Sequence, residues 1–590
     1  MRLIPVVGCI AAALLLSPPS ARTAEKDNPV PALLKNLSGE DVRVAAGAAR
    51  SLGVIYSPGD KRPADPVGPV VEALLNALES RKGATLRQEA ATALGRIGDA
   101  KALDPLKKAI DDEDVQAAAA AAVAVAALMP ADDARAYLKK RGDEKSENVQ
   151  AAICEALAPL AKPEDAEFLV ARLPVNNWRV QMNAVKGLDR AVRAGARLKP
   201  EAYDQIAAVL GSETVSATTA AVEFLAGIHN EEAIRATIAA TQVQGDGGAQ
   251  DTSWRTRSQA LRALRHMGWP TNKPALPAII RQLGDPVANV TREAHAILNG
   301  LKKDRYVTAE DLFPMLLKEL EQAKALRLRA AIMEEMGTHV DAQYASRVAK
   351  VAADALDESL KDKEAWPLRA HSIILLGAAG HTGSVETMAR CTADDVPDVR
   401  LAAGDALHKL AKLCPAEQRD KVPPLLIEVI AKPVDWRKAA VAARALGDFP
   451  AKEAVEPLTR LLGHNVINVQ EAAGKSLAAF AQTKDKELRD LVDKQVFAEV
   501  GAKETAWEYG AVVLGALQNK DGVPILTKVL KSGNWRAQVN AADAVVSIAG
   551  ASAINDKALN DALIEAANSE VKQVQAAANK ALRVLAAQTK

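Results

Sequence analysis

Aromatic residues make up only 3% of this 590-residue chain, and cysteine occurs four times. So few large rings against 49% hydrophobic residues means that the apolar mass is mostly Ala, Leu and Val, a mixture that favours closely packed helices over strands. Charge of one sign is equally scarce: 75 Lys plus Arg against 74 Asp plus Glu leave a net +1, with both signs interleaved and no basic block. Binding to phosphate backbones or anionic membranes is therefore not expected. Long apolar runs are missing too, since the Ala-rich stretch 117–129 is too short to cross a bilayer.

The catalytic signatures are absent as well. The sequence has no CxxC, no haem-attaching CxxCH, no GxSxG, no P-loop, no GxGxxG and no HExxH. Its eight histidines are dispersed; Glu293 and His295 lie two apart, which does not put them on one helical face, and His371, His381 and His408 are read as ordinary surface or core residues. No metal, cofactor or catalytic residue is assigned. Cys154, Cys391 and Cys414 read as buried small hydrophobes, with at most one bridge, Cys391 to Cys414.

What is present begins with a leader. Arg2, an apolar run from Val6 to Leu16 and a Pro/Ser/Ala stretch have the layout of a secretory signal peptide over residues 1–24, with cleavage after Ala21 or Ala24 left open. Lipid attachment at Cys9 is not expected, because most of the apolar run follows that residue. The mature chain is thus expected in the periplasm or secreted, without a membrane span.

The remainder repeats. TLRQEAATALGRIG (85–98), WRTRSQALRALRHMG (254–268), DVRLAAGDALHKLAKL (398–413) and WRAQVNAADAVVSIA (535–549) are amphipathic helices, each with a large apolar anchor seven positions after a polar residue. The anchors run Leu52, Leu94, Val123, Leu157, Leu188, Leu225, Leu264, Leu298, Met336, Leu376, Leu407, Leu446, Leu477, Leu517, Val545 and Leu582, a period of about 35 residues. Four before the anchor stands Ala in twelve of the sixteen, and seven before it Arg or Gln in eleven. A preceding segment with proline near its start, as in 98–110, 271–283, 447–462 and 519–530, supplies the first helix of each pair. Helix, short turn, helix, repeated: a period near 35 with two helices points to helical-hairpin repeats.

At this point the residues resemble the HEAT repeat family, in its short bacterial form, similar to the repeats of phycobilisome-lyase-like proteins. The family's succession of D, V-R, A-A and A-L is matched well at Asp398–Leu407 and partly at Thr85–Gly95, and departs from the family at Ala439 and Gly510. The resemblance covers residues 31–588. It implies an all-α, right-handed superhelix of about sixteen hairpins over residues 25–590, with loop insertions at 57–69 and 241–253. A non-catalytic scaffold that binds protein partners on its concave surface is the expected function. A lyase-like or ligand-handling enzyme subunit is the alternative, and a nucleic-acid-binding protein the second.

Six of the seven tryptophans, Trp178, Trp254, Trp366, Trp436, Trp507 and Trp535, stand ten residues before their anchors. Asn177, Ser253, Asp435 and Asn534 precede four of them, which predicts capped helix starts with Trp at the first helical position. These six are the candidate binding residues, weighed against a purely structural role as wedges between neighbouring repeats.

Overall fold

The structure is a computed structural model and describes residues 28–58, 66–143, 146–242, 253–304, 306–337, 340–432 and 435–588. The expected signal peptide and most of the two insertions at 57–69 and 241–253 lie outside the described residues. Among the described residues every regular element is helical, and none is long and apolar enough to cross a membrane. The chain divides into two compact units, residues 1–240 and 241–590.

The second helices of the hairpins are numbered here along the chain. Unit 1 contains α1 (Val42–Ile55), α2 (Ala84–Ile97), α3 (Val115–Leu128), α4 (Glu147–Leu157), α5 (Trp178–Arg193) and α6 (Val215–Gly227). Unit 2 contains α7 (Trp254–Met267), α8 (Ala288–Lys303), α9 (Leu326–Met336), α10 (Trp366–Ala378), α11 (Pro397–Leu410), α12 (Trp436–Leu446), α13 (Ile467–Ala481), α14 (Trp507–Leu517), α15 (Trp535–Ala551) and α16 (Lys572–Gln588). In unit 1 these pack in series from α1 to α6. In unit 2 α7 packs on α8 and the series resumes from α9 to α16, while the turn Gln282–Gly284 lies against both α8 and α9.

The first helices form the other layer. Those predicted from proline begin where expected: Pro105, Pro277, Pro457 and Pro524 fall in the first turns of Leu103–Ala109, Leu276–Arg281, Val455–Leu461 and Val523–Leu530, where a missing N–H costs no hydrogen bond. Each follows a short 3₁₀ turn.

Most anchors are buried as the periodicity predicts, Leu52, Leu94, Leu157 and Leu188 completely so. Burying one such side chain contributes about 1.5–3 kcal/mol. Three anchors depart from the reading: Val123 is exposed, and Leu517 and Leu582 are half-buried. The close approach of successive helices reveals the true register. The glycine after an anchor faces the residue before the next anchor: a Cβ on Gly53 would stand 2.7 Å from Ala93 Cα, on Gly377 3.1 Å from Ala406 Cα, and on Gly515 2.8 Å from Ala544 Cα. By that rule Gly95, which meets Ala124, puts the α3 anchor at Val125, and Gly515 puts the α14 anchor at Leu514; both are fully buried. In α3 the error arose because VQAAAAAAVAVAAL is apolar nearly all round, so periodicity alone could not choose between Val123 and Val125.

The polar residue seven before the anchor closes the joint. Its side chain satisfies carbonyls at the end of its own first helix, as in Gln181 to Leu173 O (3.3 Å), Gln538 to Leu530 O (2.9 Å) and Arg369 to Ser359 O (2.8 Å). Arginine there also reaches the next repeat. Arg87 donates to both oxygens of Asp112 (2.6 and 2.8 Å), Arg257 to both of Asp285 (2.6 and 3.2 Å), and Arg369 to Asp394 (2.8 Å). Each of these aspartates also accepts from the N–H two residues on, a turn that launches the next helix.

A trough across the second helices of unit 2

The side chains that α8–α13 leave uncovered enclose three adjoining cavities. One of about 530 Å³ lies over α8, α9 and α10, with His295, Arg327, Glu334 and His371 in its wall. The next, about 580 Å³, lies over α9, α10 and α11 and shares Glu334, Pro367 and His371 with the first. The third, about 350 Å³, lies over α11, α12 and α13 and shares Leu401 with the second. The shared residues set them side by side as three hollows of one trough.

Helical spacing builds it. On α10 the lining residues are Trp366, Pro367, Ala370, His371 and Ile374, and on α12 Trp436, Arg437, Ala440, Val441 and Arg444, the same steps of one, three, one and three along each helix. Small side chains in mid-helix, Ala370, Ala402 and Ala440, leave the depression, and Leu401 stands 56% exposed where the cavities meet. Leu401, Trp366 and Trp436 thus line one stretch of surface together, and it is this grouping, not the exposure of a single leucine, that marks it.

All six candidate tryptophans occupy the first position of their helices, as predicted for Trp178, Trp254, Trp436 and Trp535. Asn177, Asp435 and Asn534 cap the following N–H groups with their side chains. Ser253 does not; its hydroxyl accepts from Arg257 at 2.6 Å instead. Trp178 and Trp535 are 36% and 42% exposed and the other four half-buried, so none is sealed in the core. Only Trp366 and Trp436 line the trough described here. Trp507 departs in kind: measured from Leu514 it stands at seven before the anchor, and its indole N–H donates to Val500 O at 2.9 Å, the task that Gln or Arg performs elsewhere. Four tryptophans are followed by an arginine whose guanidinium lies over the ring, at 5.0 Å for Trp178, 5.4 Å for Trp254, 4.8 Å for Trp436 and 5.2 Å for Trp535.

The histidines are drawn apart. Glu293 accepts from Arg262 and Arg265, both on α7, while His295 turns the other way, with Nδ1 3.2 Å from Glu335 on α9. Lys302 also bonds to Glu335. The bond to Glu335 raises the His295 pKa above its ordinary value although burial opposes it; burial pushes the Glu335 carboxyl up, but His295 and Lys302 outweigh that and hold it below the usual range. His371 Nδ1 contacts Pro367 O, His381 contacts Ser384 Oγ and His408 contacts Asp448. No group of three or more His, Cys, Asp or Glu suited to a metal occurs among the described residues. Cys154, Cys391 and Cys414 are buried free thiols, and desolvation pushes the first two to about 12.

The trough residues Glu334, Leu401, Asp405, Arg437 and Arg444 were not singled out by sequence reasoning. A usable signal existed: Trp436-Arg437 repeats Trp178-Arg179, Trp254-Arg255 and Trp535-Arg536, and Leu401 lies about half a turn round the helix from Val399, Ala403, Ala406 and Leu410, hence on the side away from the core.

With the hairpins, their joints and this surface described, the sequence comparisons fall into place. Residues 30–127 and 422–500 match the family model of HEAT repeats. Those two stretches are HEAT repeats. No curated protein matches the sequence. Among solved structures, Kap121p bound to Pho4p is similar at 12% identity over 94% of this chain and 66% of that chain, with a TM-score of 0.36. Importin β crystallised from polyethylene glycol is similar at 14% identity over 94% and 81%, with a TM-score of 0.38. The chain thus spans just under two thirds of the Kap121p chain, and at these values the resemblance is one of repeated helical architecture alone.

Proposed function

We propose that the chain is a non-catalytic protein-binding scaffold working outside the cytoplasm, and that the trough on α8–α13 is its docking surface. One observation carries the docking reading: three cavities join across six successive repeats, floored by alanines, with Leu401 exposed at their meeting point. A partner that covers Leu401 and the ring faces of Trp366 and Trp436 gains apolar burial at about 25 cal/mol per Å² and meets a polar rim, the usual anatomy of a recognition site. The imidazoles along the trough support the non-catalytic reading, since His295 is bound to Glu335 and His371 to a backbone carbonyl. The extracytoplasmic part rests on the leader-like residues 1–24.

A photo-crosslinking residue placed at Leu401, and for comparison at the exposed Lys494 on the opposite layer, tests the first part in the source cells. Adducts to a protein from position 401 and not from 494 are expected; adducts from 494 alone, or from neither, would remove the trough as the docking surface. Cell fractionation with N-terminal sequencing tests the second part. A mature chain starting after Ala21 or Ala24 in the envelope fraction is expected, and an unprocessed cytoplasmic chain would overturn the location.

A further inference from the structure

The trough has an electrical direction that its net charge conceals. On α9–α11 its wall and rim carry Glu334, Asp362, Glu364, Asp398 and Asp405 against Arg327 and Lys409. On α12 and α13 they carry Arg437 and Arg444 against Glu471, which already pairs with Lys475 at 2.6 Å. Arg400 lines the same cavity but is buried and donates to the carbonyls of Asp394 and Asp395. Glu334, Asp405 and Arg444 are exposed and stand outside every ion pair of the described residues, whereas Arg437 holds Asp435 only loosely, at 3.3 Å. Unpaired charges of opposite sign at the two ends of one apolar trough select a ligand with the reverse order.

Dimensions limit the ligand further. Packed helices lie roughly 8–10 Å apart, so crossing from α9 to α13 covers roughly 32–40 Å. An α-helix would need more than about 20 residues for that span, about twice the length of an extended segment. An extended chain in the polyproline conformation covers it in about 10–13 residues. Its side chains return to the same face every third residue, roughly 9.3 Å, which matches the step from one helix crevice to the next.

We infer that the trough receives an extended segment of a partner protein, about twelve residues long, with basic side chains over α9–α11, an apolar side chain at Leu401, and acidic side chains over α12–α13. This deepens the docking reading above and rests on it. Trp366 and Trp436, at the helix starts along one edge, provide the flat apolar surfaces against which such a segment lies.

The test is selection from a display library of random twelve-residue peptides on the full chain, with the leading peptide then titrated by fluorescence anisotropy. Enriched sequences are expected to place Lys or Arg in one terminal third and Asp or Glu in the other, in a single chain direction. Affinity of the leading peptide should fall about tenfold or more in the double variant Glu334→Lys/Asp405→Lys, both exposed positions, and return when the basic third of the peptide is made acidic. Arg444→Glu should act on the opposite end alone. Peptides that bind through the trough, losing affinity in Leu401→Asp, but show no charge order would overturn the polarised segment and leave the docking surface standing. If no peptide is enriched, or binding ignores Leu401, both fall.

Discussion

Units 1 and 2 are built from the same hairpin and close it differently. Unit 1 has the clamp of Arg87 on Asp112 and adds a buried cluster in the layer of first helices, where Arg135 on Ala131–Gly142 binds Asp165 of the next repeat at 2.7 Å with only 6% and 0% of the two side chains exposed. Asp132, Glu164 and Lys139 complete that cluster. In unit 2 the buried pairs Arg257–Asp285 and Arg369–Asp394 hold the starts of the second helices, and the mid-helix positions of α9–α12 are left to face outward. The contrast is clearest between α3, which is nearly all alanine and valine, and α11, where Leu401, Asp405 and Lys409 project from the same kind of helix. A joint secured at its ends leaves its middle free to vary, and that is where unit 2 has its trough.

Breaking the unit 1 cluster should show the largest effect. Arg135→Met leaves Asp165 buried with Lys139 as its remaining cation, and is expected to cost about 3 kcal/mol. Urea unfolding followed by probes in each unit should show unit 1 opening first, with its midpoint shifted and that of unit 2 unmoved. Coincident shifts in both would mean that the units are not separable. Next in size come the tight helix approaches. Gly53→Ala in unit 1 and Gly515→Ala in unit 2 each drive a methyl onto a neighbouring backbone and should cost about 1–3 kcal/mol by the same measurement, equal costs being expected because both units share this contact.

Smaller still, Asn177→Ala and Asn534→Ala remove a side-chain cap from a Trp-headed helix, for about 1 kcal/mol each. Ser253→Ala, whose hydroxyl does not cap, serves as the comparison and should lose the bond from Arg257 without the loss of a cap.

The smallest effect separates the units by pH. Burial pushes the Asp165 carboxyl up, but its bonds to Arg135, Lys139 and the Lys162 N–H hold it below the ordinary value. Its contribution is therefore complete above the unfolded carboxylate range and is lost as pH falls through the folded value. His295, raised by Glu335, behaves oppositely: its contribution is complete below about 6.5 and disappears as pH rises through the folded value above that. Melting unit 2 between pH 5 and 8 should show this loss in the native chain and not in Glu335→Gln. A persistent pH dependence in the variant would assign it elsewhere.

Much of this was legible in the residues. Helical class, the hairpin, Trp at the helix starts and the caps at Asn177, Asp435 and Asn534 follow from local chemistry, because period, proline position and cap preference act within a few residues. The failures share a cause. Periodicity points to Val123 rather than Val125 because an all-apolar helix has no polar face to mark its register, and to Leu517 rather than Leu514 because Trp507 takes the position of the Gln or Arg and not that of its namesakes. The function of the polar residue seven before the anchor was invisible, since Asp112, Asp285 and Asp394 lie 25 to 28 residues away along the chain.

By itself, then, the sequence determined the element order, the apolar and polar faces, and the two-helix unit of about 35 residues, all properties of neighbours in the chain. Only the tertiary structure decided which arginines are clamps, which histidines are taken, and that Glu334, Leu401 and Arg444, from three different repeats, border one trough. Those outcomes depend on the spacing of packed helices, and that spacing is set across repeats by glycine and alanine contacts that no single repeat contains.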